Sequence, residues 1–357
     1  MHGAIVVGTS FGGRIHVPAL RAAGIDVRAL VGRDEPRTRA RADALRVPIA
    51  ATSLADALAR ADADCVTIAT PPDARTDLVV EALGAGRHVL CEKPFARNGE
   101  DARRMVRAAD ASDRVTLVGC EFRWMPEEAL ARQAIAEGAI GEPRLATFVQ
   151  HSRLVADGLH GAFNEEWWFD DDRGGGILNA GGIHYIDRFR TWLGEIVGVS
   201  ARLQVAGDRA TSEAEDTYTV LLRFESGCTG MLQHCAATHG DPVRLCRVVG
   251  SRGTVSLQDG HAVVSSAAGS TVLPVPDELR LPEPPPPSTD AKHAFTQLEL
   301  QPYTRLAERF RALMDGERPP PTAPPTPTFH DGLRNQLVID AMRASSRAGG
   351  TWLDVER

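Results

Sequence analysis

The chain has 357 residues, which is enough for two domains that each bury a core of their own. Its hydrophobic content of 43% and its charged content of 24% are ordinary for a globular enzyme. A net charge of -7 leaves no basic surface for nucleic acid or for an anionic membrane, so we expect neither as a partner.

The N-terminus leads at once into an apolar strand, with no room for a secretory signal, and no apolar run reaches the ~18 residues of a membrane span. These two features predict a cytoplasmic protein. The six cysteines form no C-x-x-C pair, so we expect buried free thiols and no metal site.

The first element is an apolar run that ends in a glycine-rich turn and continues into an amphipathic segment, Ala4-Ile-Val-Val-Gly8-Thr-Ser-Phe-Gly-Gly13-Arg-Ile-His16. This order is typical of the strand, turn and helix of a dinucleotide-binding unit, in which backbone N–H groups face a pyrophosphate. A serine replaces the middle glycine of the usual G-x-G-x-x-G spacing, so a plain structural turn is the alternative. The residues predicted to contact the cofactor here are Gly8, Ser10, Phe11, Gly12 and Gly13.

Strand and helix signals alternate through the first 120 residues. Apolar strand-like runs occur at 4–7, 27–31, 65–69, 88–91 and 116–118, with a weaker one near Ile49. Helical periodicity fills the intervals at about 13–23, 35–45, 53–60, 73–85 and 98–111. The alternation predicts an α/β fold with a parallel sheet covered on both faces. Ligands of such sheets bind beyond the carboxyl ends of the strands, so the residues that follow each strand are the first site candidates.

The second strand is followed by Gly32-Arg33-Asp34. A carboxylate at this position binds the ribose diol of NAD, whereas an arginine suits the 2′-phosphate of NADP. Gly32 leaves space at the strand end, and Arg33 and Arg37 are one helical turn apart, so we favour NADP(H) over NAD(H). The alternative is that Asp34 binds the ribose, although its position also suits the N-cap of a helix.

Two further motifs end later strands of the same predicted sheet, Thr70-Pro71-Pro72 and Glu92-Lys93-Pro94. Only two of the 40 basic residues are lysines, Lys93 and Lys292. An ammonium whose pKa is lowered can release a proton near neutral pH and a guanidinium cannot, so Lys93 is the candidate acid/base. The alternative is a lysine that only extends to solvent. The residues predicted to contact the cofactor at this end are Thr70, Pro71, Pro72, Glu92 and Lys93.

Beyond Gly119 the pattern changes to hairpin-linked strands with fewer helices. Strand-like segments occur at 145–151, 199–205, 218–224, 229–234, 244–249 and 254–257, and helices near 127–137, 302–315 and 329–346. These signals predict an α+β domain with a large, mostly antiparallel sheet. We place a dinucleotide-binding domain at 1–121 and a substrate-binding and oligomerisation domain at 122–357. Proline-rich segments at 274–288 and 319–327 are predicted to be surface linkers.

With these motifs the chain resembles the Gfo/Idh/MocA family of NAD(P)-dependent oxidoreductases along nearly its full length. The motifs that carry the resemblance are the glycine turn with His16, Thr70-Pro71-Pro72, Glu92-Lys93-Pro94, Arg123-Trp-x-Pro126, Gly174-Gly-Gly176 with His184 and Asp187, and the segment Asp331–Ala341. The resemblance implies a Rossmann domain, then an open antiparallel sheet whose face makes a homodimer or homotetramer. It also implies hydride transfer between nicotinamide and a hydroxyl or keto carbon of a sugar, an inositol or a related polyol.

The resemblance further implies that Lys93 and His184 form the acid/base pair, with Asp187 orienting the imidazole ring. The residues expected to contact the substrate are Lys93, Arg123, Trp168, Asn179 and His184. The chain departs from the family pattern at Ala180, where many members carry a carboxylate, and at Arg75, where many have histidine.

Three explanations of Ala180 remain open: a ketone or imine reductase that needs only an acid, a catalytically silent homologue, or an acidic residue supplied from elsewhere. The nearby candidates for such an acid are Glu165, Glu166 and Asp170 to Asp172. The leading hypothesis is an NADP(H)-preferring oxidoreductase of a sugar-like or specialised metabolite, with NAD(H) as the alternative cofactor. The alternatives are a regulatory or sensor protein that binds the dinucleotide without turnover, and a lyase or epimerase that cycles tightly held NAD.

Overall fold

The computed structural model describes residues 1–156, 166–207, 214–289, 293 and 295–356. The chain forms two compact units, the first from residues 1–124 and 281–333 and the second from residues 125–280 and 334–357. Within the described ranges, no helix is both long enough and apolar enough to cross a membrane.

The strands are β1 (Gly3–Val7), β2 (Asp26–Val31), β3 (Ile49–Ala51), β4 (Cys65–Ile68), β5 (His88–Cys91), β6 (Thr116–Val118), β7 (Pro143–His151), β8 (Ile196–Gln204), β9 (Thr217–Phe224), β10 (Thr229–Cys235), β11 (Val243–Gly250), β12 (Gly253–Gln258), β13 (His261–Ser266), β14 (Gly269–Val272) and β15 (Leu353–Asp354). The helices are α1 (Val17–Ala22), α2 (Glu35–Ala44), α3 (Leu54–Arg60), α4 (Arg75–Gly84), α5 (Gly99–Asp110), α6 (Pro126–Ala136), α7 (Ile183–Leu193), α8 (Thr296–Met314) and α9 (Phe329–Arg347).

The sheet of the first unit has six parallel strands in the order β3-β2-β1-β4-β5-β6, which confirms the predicted α/β fold class. Every residue of β1 and β4 is buried, as expected for central parallel strands that are covered on both faces. The chain runs outward in opposite directions from these two neighbouring strands. The gap beyond their carboxyl ends is therefore the switch point at which such sheets bind ligands.

Polar side chains fix the starts of three helices of this unit. Asp34, Ser53 and Asn98 each accept a hydrogen bond from the backbone N–H three residues later, at 2.8, 3.2 and 2.9 Å. These N-caps satisfy helix donors that have no partner within the helix.

The first unit also contains residues 281–333, which the sequence places in the second domain. Tyr303, Leu306 and Phe310 of α8 are buried and share one apolar core with Ile15 and Leu20. Helical periodicity shows that α8 has an apolar face but does not show which sheet this face covers.

The second proline-rich segment also packs on the first unit. The backbone N–H of Val118 donates a 3.0 Å hydrogen bond to the carbonyl of Pro327, and Leu117 forms a bridge with Thr328. Residues 319–327 are thus fastened along β6 at their end rather than forming only a linker.

The sheet of the second unit has nine strands in the order β14-β13-β12-β11-β7-β10-β9-β8-β15. Among these described strands, β7 and β10 pair in parallel and the other neighbours are antiparallel, which confirms a mixed, mostly antiparallel sheet. Strands β13, β14 and β15 were not predicted from the sequence. The four residues of β14 are all exposed, so this strand has no buried face and no apolar alternation to detect.

One face of this sheet is covered by helices, with α6 on β12 and β13 and α7 on β7. Side chains of the opposite face are exposed, and several of them are large and apolar. Leu145, Leu221, Val243 and Leu245 are each between 42% and 46% exposed.

Candidate active site

Gly8 follows β1 in a backbone conformation that glycine adopts more readily than other residues. Its φ is +113°, and a Cβ atom on it would lie 2.5 Å from the carbonyl oxygen of Ala69. Gly12 is also confined, because a Cβ atom there would lie 2.9 Å from Cγ1 of Val6. Ser10 has no positive φ, and its carbonyl accepts a 3.1 Å hydrogen bond from the Arg14 N–H. A serine therefore fits where the usual spacing has glycine.

The helix after this turn begins with one π-helical turn, Gly12–His16, that continues into α1. Gly13 lies against Leu45, whose Cδ1 would be 3.2 Å from an added Cβ. The ring of Phe11 packs edge-on against His16 and Tyr303, with centroid distances of 5.7 and 6.2 Å.

The carboxyl end of β2 has two exposed arginines. Arg33 and Arg37 are both exposed, and in the described part of the chain neither guanidinium pairs with a carboxylate. Gly32 has no space for a side chain, because a Cβ atom would lie 2.5 Å from the Thr38 hydroxyl. Asp34 is the N-cap of α2 and accepts from the Arg37 N–H at 2.8 Å. The carboxylate next to the predicted ribose site is thus used by the helix.

The carboxyl ends of β4 and β5 are held together by Arg75. This buried guanidinium donates to the carbonyls of Thr70 and Glu92, each at 2.7 Å, and also to that of Pro94. Arg75 therefore fixes the backbone on both sides of Lys93. The position at which the chain departs from the family pattern has a structural role in this protein.

The side-chain hydroxyl of Thr70 is buried and has no hydrogen-bond partner among the described residues. Pro71 adopts an extended conformation and Pro72 begins the short turn Pro72–Ala74 that leads into α4. The orphaned hydroxyl lies beyond β4 at the switch point of the sheet and is available to a ligand there.

The Lys93 ammonium lies among three carboxyl groups. Its Nζ is 3.9 Å from Oε1 of Glu299, and the two side chains are 12% and 15% exposed. Burial lowers the pKa of Lys93, but the negative charges of Glu299, Glu121 and Glu92 outweigh burial and hold this pKa above its ordinary value. The expectation of a lowered pKa is therefore not met, and Lys93 is held as a proton donor.

The sequence analysis did not single out Glu121 or Glu299. Burial raises the pKa of Glu299 to about 7 against the opposing charge of Lys93, and burial raises the pKa of the fully buried Glu121 well above its usual range. Glu121 follows β6, so its position at the end of a strand was a usable signal. Glu299 lies on α8, which the sequence analysis placed in the other domain.

Glu92 is held in place by protein groups on both of its oxygens. Its Oε1 lies 3.2 Å from Nε2 of His16, which is also 2.8 Å from the hydroxyl of Tyr303. Its Oε2 accepts a 3.0 Å hydrogen bond from the backbone N–H of Lys93. Burial raises the pKa of Glu92, but the hydrogen bond from His16 and the neighbouring positive charges bring it below the ordinary value. Glu92 is thus a fixed carboxylate beneath Lys93.

The glycine-rich motif of the second unit packs around a buried carboxyl group. Gly176 has a φ of +93°, and a Cβ atom on it would overlap the carboxyl of Glu215. Glu215 accepts a 2.9 Å hydrogen bond from the Leu178 N–H. Asn179, which is 0% exposed, donates to the Gly174 carbonyl at 2.7 Å, while its side-chain oxygen has no partner among the described residues. This oxygen can accept a hydrogen bond from a ligand.

His184 lies in the first turn of α7 and is buried, with 6% of its surface exposed. Asp187, on the next turn, accepts a 3.0 Å hydrogen bond from the side chain of Asn335. Asn335 in turn accepts from the Arg190 guanidinium at 2.7 Å. These contacts anchor α7 to α9, and the orienting role of Asp187 toward the His184 ring stays a prediction.

Arg123 and Trp168 were predicted to contact the substrate. Arg123 is paired with Asp331, with Nη2 3.2 Å from Oδ1, and also donates to the Pro325 carbonyl. This pair holds the first turn of α9 within the first unit, and the substrate contact of Arg123 stays a prediction. Trp168 is half-buried beside Trp167, with ring centroids 5.6 Å apart.

Two of the acidic residues near these tryptophans have partners within the protein, Asp170 and Asp171. Glu165 lies outside the described residues, as does the side chain of Glu166. Asp170 caps a short turn by accepting from the Asp172 N–H at 3.1 Å, and Asp171 lies 3.3 Å from Arg343.

The first unit has the features that a nicotinamide dinucleotide requires at the switch point. The confined Gly8 lets the backbone approach a pyrophosphate, and the orphaned Thr70 hydroxyl provides a polar contact. The two exposed arginines after β2, which pair with no carboxylate of the described residues, provide positive charge near the predicted ribose position. The residues present fit such a cofactor.

Comparison with known proteins agrees with this site. Residues 3–120 match the oxidoreductase family with an NAD-binding Rossmann fold, and residues 129–256 match the GFO/IDH/MocA C-terminal domain. Inositol 2-dehydrogenase of Rhizobium meliloti (strain 1021) is 30% identical over 71% of this chain and 78% of its own length. Glucose-fructose oxidoreductase domain-containing protein 2 of Mus musculus is 29% identical over 98% of this chain and 92% of its own length.

Among solved structures, levoglucosan dehydrogenase in complex with NADH and levoglucosan has the same fold, with a TM-score of 0.83 over 100% of both chains at 22% identity. The oxidoreductase domain protein of Kribbella flavida has a TM-score of 0.81 at 26% identity and covers 100% of this chain and 99% of its own. The two family matches, the identity to the inositol dehydrogenase and the dinucleotide-fitting switch point lead to one conclusion. The chain belongs to the Gfo/Idh/MocA family of NAD(P)-dependent oxidoreductases.

Proposed function

We propose that the protein is an NADP(H)-preferring oxidoreductase that transfers hydride between nicotinamide and a hydroxyl or keto carbon of a sugar-like or specialised metabolite. The observation that carries this proposal is the Lys93 ammonium at the carboxyl edge of the sheet, with 12% of its side chain exposed and a carboxylate 3.9 Å away. The relatives support the substrate class, since one is named for inositol, a cyclic polyol. The test is turnover of NADPH with a panel of sugars and keto sugars. A protein that binds NADPH and turns over none of them would instead be the dinucleotide-binding regulator.

The bound dinucleotide supplies or accepts the hydride. Lys93 is the proposed acid/base: its ammonium stabilises negative charge on the substrate oxygen and donates a proton to it. Because its pKa lies above the ordinary value, Lys93 is in its donor form throughout the neutral pH range. This protonation state favours carbonyl reduction over alcohol oxidation.

His184 is the proposed second proton-handling residue. Its imidazole is nearly buried on α7, directly after the π-helical turn Leu178–Gly182 that carries Asn179. An imidazole at such a position can donate a hydrogen bond to a substrate hydroxyl or accept one from it. The side-chain oxygen of Asn179, which has no partner among the described residues, is proposed to accept a hydrogen bond from another hydroxyl.

The preference for NADP(H) is supported by the arginines beyond β2. We expect the double variant Arg33→Ala/Arg37→Ala to bind NADPH at least about 10²-fold more weakly, because it removes two charge-assisted hydrogen bonds to the 2′-phosphate, each worth about 1.5–3 kcal/mol. Affinity for NADH should change little, since NADH has no 2′-phosphate. Fluorescence titration with both cofactors measures the effect.

The matched control is Arg39→Ala, which removes an exposed arginine from the same helix. Tighter binding of NADH than of NADPH by the unaltered protein would contradict the NADP(H) preference. So would an NADPH affinity that the double variant leaves unchanged.

We also propose that the protein is a homodimer or homotetramer assembled through the open face of the nine-strand sheet. Leu145, Leu221 and Leu245 lie on this face, at positions that alternate with buried residues along β7, β9 and β11. Several large apolar side chains exposed on one face of a sheet are typical of an interaction surface.

Introducing charge on this face should therefore yield monomers. We expect the double variant Leu145→Arg/Leu221→Arg to elute as a monomer in size-exclusion chromatography with light scattering, because burying two arginines is unfavourable. Val272→Arg, on the edge strand β14, is the control and should leave the oligomer intact. A monomeric unaltered protein would rule out this assembly.

A further inference from the structure

Lys93 needs a source of protons if it acts as the acid in repeated turnovers. Once this ammonium has protonated a substrate oxygen, the amine must regain a proton before the next turnover. Three carboxyl groups lie near it, those of Glu299, Glu121 and Glu92. The Arg75 guanidinium is also near, but it does not release a proton at neutral pH and so cannot reprotonate the amine.

Two of the three carboxyl groups are poorly suited to this exchange. Glu92 is fixed as a carboxylate by His16 and by the Lys93 backbone N–H, so it is held without a proton to give. Glu121 is 0% exposed, and a proton on its carboxyl cannot pass directly to water.

Glu299 combines contact with Lys93 and contact with solvent. It lies in the first turn of α8, with its Oε1 3.9 Å from the Lys93 Nζ and 15% of its side chain exposed. One turn further along the same helix, Tyr303 packs on His16, so the helix that presents Glu299 is fastened beneath the site. The other ionisable groups that act on this carboxyl are the Arg14 guanidinium and the carboxyl groups of Glu92 and Glu121.

We propose that Glu299 is a proton-relay residue that returns a proton from solvent to Lys93, and takes one from it in the reverse reaction. The proposal rests on the proposed function of Lys93. It also identifies an acidic partner on α8 in a chain that has alanine at position 180.

The relay conserves protons and electrons at each step. In carbonyl reduction the Lys93 ammonium gives its proton to the substrate oxygen, and the resulting amine takes a proton from the Glu299 carboxylic acid. Water then reprotonates the Glu299 carboxylate. In alcohol oxidation each proton moves in the opposite direction. Burial brings the pKa of Glu299 to about 7, so both forms of this carboxyl are populated at neutral pH.

The test uses the scarcity of lysine in the full-length protein. With ¹³Cε-labelled lysine the chain gives only two lysine side-chain signals, from Lys93 and Lys292, and Lys93→Arg assigns them. We expect the Lys93 signal of the unaltered protein to show an inflection near pH 7 as Glu299 ionises. In Glu299→Gln this inflection should disappear and the pKa of Lys93 should fall by about one unit or more. Glu308→Gln, a more exposed glutamate on the same helix, is the control and should change neither.

Activity measurements separate the relay from the proposed function. In the reductive direction kcat of the unaltered protein should fall as pH rises through about 7, because Glu299 must be protonated. Glu299→Gln should lower kcat by about 10²-fold and lack this limb. An unchanged Lys93 titration, or an unchanged kcat profile in the variant, would overturn the relay alone. Absence of turnover in the unaltered protein would overturn the proposed function itself.

Discussion

Replacing Lys93 with methionine should lower kcat by about 10³-fold and leave the affinity for NADPH unchanged, because the side chain proposed to protonate the substrate oxygen is lost. Methionine matches the length of the lysine stem but carries no proton and no charge. Steady-state kinetics with the best substrate of the panel and a fluorescence titration with NADPH measure the two quantities.

The variant Lys93→Arg tests whether the positive charge at this position is sufficient for activity or whether proton transfer is also required. Arginine keeps the positive charge beside Glu299 but does not release a proton at neutral pH, so we expect most of the activity to be lost in this variant as well. Lys292→Met removes the other lysine of the chain and should be fully active. Full activity of either Lys93 variant would show that Lys93 is not the acid/base.

The second large effect concerns a buried ion pair in the second unit. The guanidinium of Arg188, with 0% of its side chain exposed, pairs with Glu128 of α6. Three aromatic rings surround it, those of Phe148, Tyr185 and Trp192, with centroids 5.2 to 5.8 Å from the guanidinium carbon. This cation lies on α7 one turn after His184.

Glu128→Ala should lower the free energy of unfolding by about 3–5 kcal/mol, because it leaves the Arg188 charge buried without its partner. Urea unfolding followed by circular dichroism measures the loss. The control is Asp354→Ala, which breaks the exposed pair between Arg223 and Asp354 and should cost about 1 kcal/mol or less. Equal effects of the two substitutions would show that the buried pair does not stabilise the unit.

Much of the first unit was predictable because its signals are local. Strands such as Ala4–Val7 are fully buried and read as continuous apolar runs, and the residues after them occupy one edge of a parallel sheet. Lys93 stood out for the same reason, with the additional signal of its rarity. The N-cap role of Asp34 likewise follows from its place before a helix.

The surroundings of Lys93 were not predictable in this way. Glu299 is 206 residues from Lys93 in the chain, and its contact depends on α8 packing on the first unit. The direction of the Lys93 pKa depends on the carboxyl groups around it, which neighbouring sequence does not specify. The pairing of Arg123 with Asp331 was not predictable either, because the two residues are distant in sequence.

The most direct test of the account is the fate of deuterium from NADPH labelled at nicotinamide C4, followed by mass spectrometry of the reduced product. Hydride transfer to a keto carbon predicts one deuterium on the new carbinol carbon for each NADPH consumed. Consumption of NADPH with no deuterium in the product, or conversion of substrate with no net consumption of cofactor, would contradict hydride transfer to a keto carbon.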